Sequence, residues 1–147
     1  MRKLILLNLL FSLVLLGCSA SISSIRGNPV KYSGESVSLR GEVTEAFSIP
    51  LTGTMIYLLY DKTGTIPVYS KEDRKAGDSI KLKAKVLALE THGAVDNVDD
   101  VSDSITDYLS DNNLIQGRLV DITAAGISKV VKVVLAKTEG SYLLIEQ

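Results

Sequence analysis

Residues 55–88 read MIYLLYDKTGTIPVYSKEDRKAGDSIKLKAKVLA, and this stretch decides the fold. Met55–Tyr60 is apolar at every position, as in a strand buried on both faces. Asp61-Lys62-Thr63-Gly64 reads as a turn, with Asp bonding its own backbone and Gly64 expected to take the positive φ. Thr65–Tyr69 is then a returning strand, and the pair is a hairpin. Lys71–Gly77 is a charged connection closed by a second turn at Gly77-Asp78. Beyond it Ile80, Leu82, Ala84, Val86 and Ala88 alternate with Ser79, Lys81, Lys83 and Lys85. Period two over that length predicts an amphipathic strand whose lysine-rich face is either simply solvated or blunts an exposed edge.

Working outward, Val37, Leu39, Gly41 and Val43 alternate with Ser36, Ser38, Arg40, Glu42 and Thr44, a further half-buried strand. Ser48–Thr54 contains Pro50 and Gly53 and reads as a loop. On the other side, Thr91–Asn97 is a loop with Gly93. Val98, Val101, Ile105, Tyr108 and Leu109 then fall at helical spacing, ending near Asn112-Asn113. Ile127, Val130, Val131, Val134 and Leu135 form a cleaner helical set, giving a second helix from about Ala124 to Lys137. The valines leave a strand as the rival reading there. Gly140 should end that helix, and Tyr142–Glu146 is a last short strand.

The order of these pieces resembles an OB-fold. The resemblance runs from Val37 to about Leu89. It is carried by Ser38-Leu39-Arg40-Gly41-Glu42-Val43, by Tyr57 to Val68 with its Asp-x-x-Gly turn, and by Gly77-Asp78 leading into Ile80-Lys81-Leu82-Lys83-Ala84-Lys85-Val86. Many bacterial OB-folds of the nucleic-acid-binding and periplasmic kinds look like this, with Gly often standing where this chain has Ala84. The expected class is mainly β with an α insertion: a five-stranded OB-like barrel with two helices inserted before the last strand.

The N-terminus carries a different signal. Arg2 and Lys3 precede Leu4–Leu16, an apolar run broken only by Asn8 and Ser12. It falls short of the ~20 residues of a membrane span and has the layout of a secretory signal. Leu15-Leu16-Gly17-Cys18 resembles the lipobox of bacterial lipoproteins. The resemblance implies diacylglycerol on the Cys18 thiol, cleavage after Gly17 and acylation of the new amine, and so a palmitate-type membrane anchor. Ser19, where related lipoproteins retained at the inner membrane carry Asp, leans towards the outer membrane of the cell envelope in an organism that has one. The expected organisation is residues 1–17 as signal, 18–34 as lipidated Cys18 and flexible tether, and 35–147 as one domain with a helical insertion at about 97–138.

Without residues 1–17 the chain carries 14 basic and 17 acidic residues, a net −3 that gives no general attraction to nucleic acid. Asp96, Asp99, Asp100, Asp103 and Asp107 lack the alternating ligand order of an EF-hand and read as a solvated helix face. His92 stands without a second His or a neighbouring Cys, so neither a metal site nor a Ser-His-Asp triad is built on it. No cofactor and no catalytic residue are expected. The candidate ligand face is the outer surface of the hairpin. With Tyr57 and Leu59 turned inward, Ile56, Leu58 and Tyr60 point out, joined by Pro67, Tyr69 and Arg40. OB-folds place oligonucleotides and oligosaccharides there. The competing use of the same face is to seat the inserted helices, which must bury their own valines. The functional expectation is a non-enzymatic binding module for an envelope protein or glycan, with an oligonucleotide-binding domain as the alternative.

Overall fold

The structure is a computed structural model, and it describes residues 19–50, 52–88, 107–114, 120–138 and 142–147. The expectations placed on residues 1–18, on 89–106 (His92, Asp96, Asp99, Asp100 and Asp103 among them), on Gly140, and on the side chains of Ile127 and Leu135 lie outside the described residues.

Five strands form the body: β1 Ser36–Ile49, β2 Thr54–Tyr60, β3 Thr65–Ser70, β4 Ser79–Ala88 and β5 Tyr142–Glu146. They close into a barrel in the order β1-β2-β3-β5-β4. All neighbours are antiparallel except β3 and β5, which run parallel. This is the OB-like barrel that the strand order implied. Among the described residues two helical segments stand between β4 and β5, at 107–111 and at α3, Val120–Thr138.

β1 is longer than its alternation suggested. Its first half pairs with β4 and its second half with β2. The register slips between Val43 and Glu45, so Thr44 is a bulge residue, and its hydroxyl donates to the Leu58 carbonyl at 3.4 Å. A bulge bends the strand and shifts its inward-facing set by one residue, which is why period two fades after Val43. Gly41 sits where β1 passes from pairing with β4 to pairing with β2. A Cβ there would stand 2.4 Å from the Tyr60 carbonyl oxygen, so only glycine lets β1 pass β2 so closely.

The interior is filled by Leu39, Val43, Tyr57, Leu59, Val68 and Leu144, with Val86 and Tyr142 behind them. Its plug comes from a segment expected to be a loose tether. Residues 19–34 form α1, Ile22–Gly27, and α2, Pro29–Tyr32. Ile22 and Ile25 are fully buried in the barrel core. The Ser-rich composition concealed a helix of two turns whose only apolar pair, one turn apart, faces inward. Ser21 caps α1 by accepting from the Ser24 amide, and Asn28 caps α2 by accepting from the Lys31 amide. Full burial of each isoleucine contributes roughly 1.5–3 kcal/mol.

Gly64 also has a different reason from the one expected. The positive φ in the β2–β3 turn belongs to Lys62, at 74°. A Cβ on Gly64 would press on Arg26 and Ile22, at 3.1 and 3.3 Å, so its smallness admits α1.

Candidate functional site

The hairpin orients its side chains as the alternation required. Tyr57 and Leu59 point into the barrel, while Ile56 and Leu58 point out. The outward set is not a surface. Ile56, Leu58 and Tyr69 are 0%, 3% and 1% exposed, packed beneath Leu109, Val131 and Val134 of the insertion. Pro67 is buried as well, and the Tyr69 hydroxyl donates to the Leu114 carbonyl at 2.8 Å. Ile56, Leu58, Pro67 and Tyr69, four members of the candidate ligand face, are therefore corrected to packing residues. The helices and the sheet each had an apolar face to bury, and each uses the other.

The remaining two candidates, Arg40 and Tyr60, are exposed, and the fold brings them together. Arg40 and Tyr60 line one cleft of about 400 Å³ with Gly41, Glu42, Asp61, Lys62 and Ser79. Tyr60 is 42% exposed. It lies at the end of β2, beyond the reach of α3, where Glu42 of the bent β1 stands opposite it in register. The side chains of Arg40, Tyr60 and Lys62 make no hydrogen bond or ion pair with another described residue.

Asp61 is committed to the scaffold. One carboxylate oxygen accepts from the Ile22 amide at 2.8 Å, the other from the Thr63 amide at 2.9 Å and its hydroxyl at 2.6 Å. Burial pushes its pKa up, but these hydrogen bonds outweigh burial and hold it below the usual value. The groups left to meet a ligand are thus an aromatic face, a guanidinium, an ammonium and the Glu42 carboxylate. That set suits a polar ligand with one flat apolar face, as a sugar ring or an amphipathic side chain has.

From Arg40 the surface continues along the β1–β4 wall. Arg40 stands directly opposite Lys81, Ser38 opposite Lys83 and Ser36 opposite Lys85. β4 is paired on both sides, so these lysines do not guard an edge. Like charges facing each other across strands are unfavourable, and Glu42 is the acid that shares their face. The sequence showed the lysine alternation; the Arg40–Lys81 juxtaposition needed the register.

A third polar group lies inside the barrel. Glu146, at the end of β5, accepts from the Tyr57 hydroxyl at 2.9 Å and from the Arg74 guanidinium. Arg74 comes from the β3–β4 connection and closes that end of the barrel. Among the described residues no three His, Cys, Asp or Glu side chains converge as metal ligands, and no helix is long and apolar enough to cross a membrane. No known protein family matches this chain, and no curated protein matches it.

Proposed function

We propose that the protein is a lipid-anchored binding module of the bacterial cell envelope, without catalytic activity, that holds an envelope glycan or protein at the Tyr60 cleft. The anchor reading rests on Arg2, Lys3, the apolar run Leu4–Leu16 and Leu15-Leu16-Gly17-Cys18. The binding reading rests on one observation: on a barrel whose hairpin face is covered, Tyr60 remains open beside Arg40 and Lys62, whose side chains have no partner among the described residues. The oligonucleotide alternative depended on the outer face of β2 and β3, where Ile56, Leu58 and Tyr69 are buried. Net charge −3 without the signal adds no support for it.

The test is crosslinking in intact cells followed by recovery of the native protein and of Tyr60→Ala and Arg40→Ala. An envelope component captured by the native chain and lost in both variants supports the cleft. Equal capture by all three removes it. A fatty-acid label that enters the native protein and is absent from Cys18→Ser supports the anchor; equal labelling of both removes it.

A further inference from the structure

The chain leaves almost no slack between Cys18 and the folded body. Ala20 already packs against the barrel core, and Ser21 caps α1. Covalent geometry puts the Cα of residue 18 about 3.8 Å from that of Ser19. Ser19 in turn lines a surface groove of about 610 Å³ with Lys31, Tyr32, Glu35 and Ser36. Ser36 faces Lys85 across the β1–β4 ladder, and α2 packs against β4. An acyl chain on Cys18 would therefore hold this particular end of the barrel at the bilayer.

The chemistry of that end fits the task. Val30 of α2 is 65% exposed, the most open large apolar side chain among the described residues. Lys31 lies beside it, its ammonium 5.6 Å from the Tyr32 ring. Lys83 and Lys85 project from the adjoining β4 wall, with Lys81 and Arg40 further along it. Glu35 is the acid in the groove; Ser36, which also lines it, donates to the Gln147 side-chain oxygen, and the Gln147 backbone amide donates to the Lys83 carbonyl. An exposed aliphatic residue with Lys31 beside it and Lys83 and Lys85 on the adjoining strand, at the end of the barrel from which residue 18 leaves, is complementary to an anionic headgroup layer.

Building on the anchor reading above, we propose that the end of the barrel formed by Val30, Lys31, Lys83 and Lys85 docks on anionic lipid. The domain then rests against the bilayer instead of hanging from a tether. Lysines within a Debye length of the headgroups are drawn to them, and those on the far side of the barrel are not.

The experiment uses the full-length gene product purified from bacterial membranes, with its lipid state read by intact mass. It is mixed or reconstituted with phosphatidylcholine vesicles, with and without phosphatidylglycerol, and the acylation rate of each lysine is read by mass spectrometry. Lys31, Lys83 and Lys85 are expected to react about fivefold more slowly on the phosphatidylglycerol vesicles. High salt should restore them, and Lys71 and Lys75, in the β3–β4 connection, should not change. Equal rates on the two lipids overturn the proposal, as does protection on phosphatidylcholine alone. Lys83→Gln/Lys85→Gln, changed only at solvent-facing groups, should lose the slowing at Lys31; a Lys31 still slowed in it also overturns the proposal. Slowed lysines on a protein lacking the Cys18 lipid would sink the anchor reading and support the docking surface. A lipidated protein with unprotected lysines would do the reverse.

Discussion

At the scale of single residues, the carboxylate of Glu146 makes the stability of the barrel depend on pH. Its side chain is 8% exposed, yet it is ionised, because the Arg74 guanidinium and the Tyr57 hydroxyl both donate to it. Burial pushes its pKa up, and those donors outweigh burial and hold it below the ordinary value of 4.5. Burial and the neighbouring carboxylate raise the Tyr57 pKa, so that phenol stays neutral and donating. A carboxylate depressed on folding binds its proton more weakly in the native state than in the unfolded one. Its contribution is present above the unfolded pKa and is lost as pH falls through the folded value. Stability is therefore expected to hold down to about pH 4.5 and to fall below it. Asp61, depressed in the same direction, adds to that fall. In Glu146→Gln the acid limb should be shallower, the remainder belonging to Asp61. Urea titrations at stepped pH measure this, and an unchanged limb would take the effect away from Glu146. The sequence turned Tyr57 inward but did not join it to Arg74 and Glu146, since the three lie far apart in the chain and meet only through barrel closure.

At the scale of elements, α1 shows how a composition signal is overridden by packing. A six-residue helix has no stability of its own, so α1 exists because the barrel supplies a hole for Ile22 and Ile25. Ile25→Ala is expected to cost about 2–5 kcal/mol, read as a lowered urea midpoint with unchanged slope. A loose tether would show no such loss. The end of the helical segment 107–111 was easier to read. Asn113 takes φ 53°, the Asn113 amide donates to the Ser110 carbonyl and the Leu114 amide to that of Leu109. This is a Schellman cap, with Leu109 and Leu114 in the same apolar cluster. Asn112-Asn113 signalled it because asparagine tolerates the left-handed region. α3 runs a little beyond both expected ends, and its Val131 and Val134 face the barrel as the helical spacing required. The strand reading of those valines fails because an i, i+3 pair on one face meets the sheet only in a helix.

At the scale of the whole molecule, the barrel has a covered wall and an open one. The insertion lies over the outer faces of β2, β3 and β5, while Arg40, Lys81 and Lys83 remain in solvent on the β1–β4 wall. The two outward tyrosines of the hairpin should therefore behave differently. Tyr69→Ala removes a ring that is 1% exposed together with its bond to Leu114, and is expected to cost about 3–5 kcal/mol. Tyr60→Ala is expected to change stability by no more than about 0.5 kcal/mol. Equilibrium unfolding of the two variants side by side measures this. Equal losses would mean that Tyr60 too is part of the packing and that its cleft is not available to a ligand.

The sequence by itself determined the strands, the hairpin, the strand order of an OB-like barrel and the two helical segments before β5, because period two and period 3.6 are local properties of a chain with one core to fill. It also assigned Tyr57 and Leu59 to the interior and marked Tyr60 and Arg40 as candidates. Only the tertiary structure decided that Ile56, Leu58 and Tyr69 serve the insertion, that residues 22–27 plug the barrel, and that Arg40 faces Lys81. Those are questions of which surface buries which, and alternation tells that a residue leaves the barrel interior without telling what it meets outside.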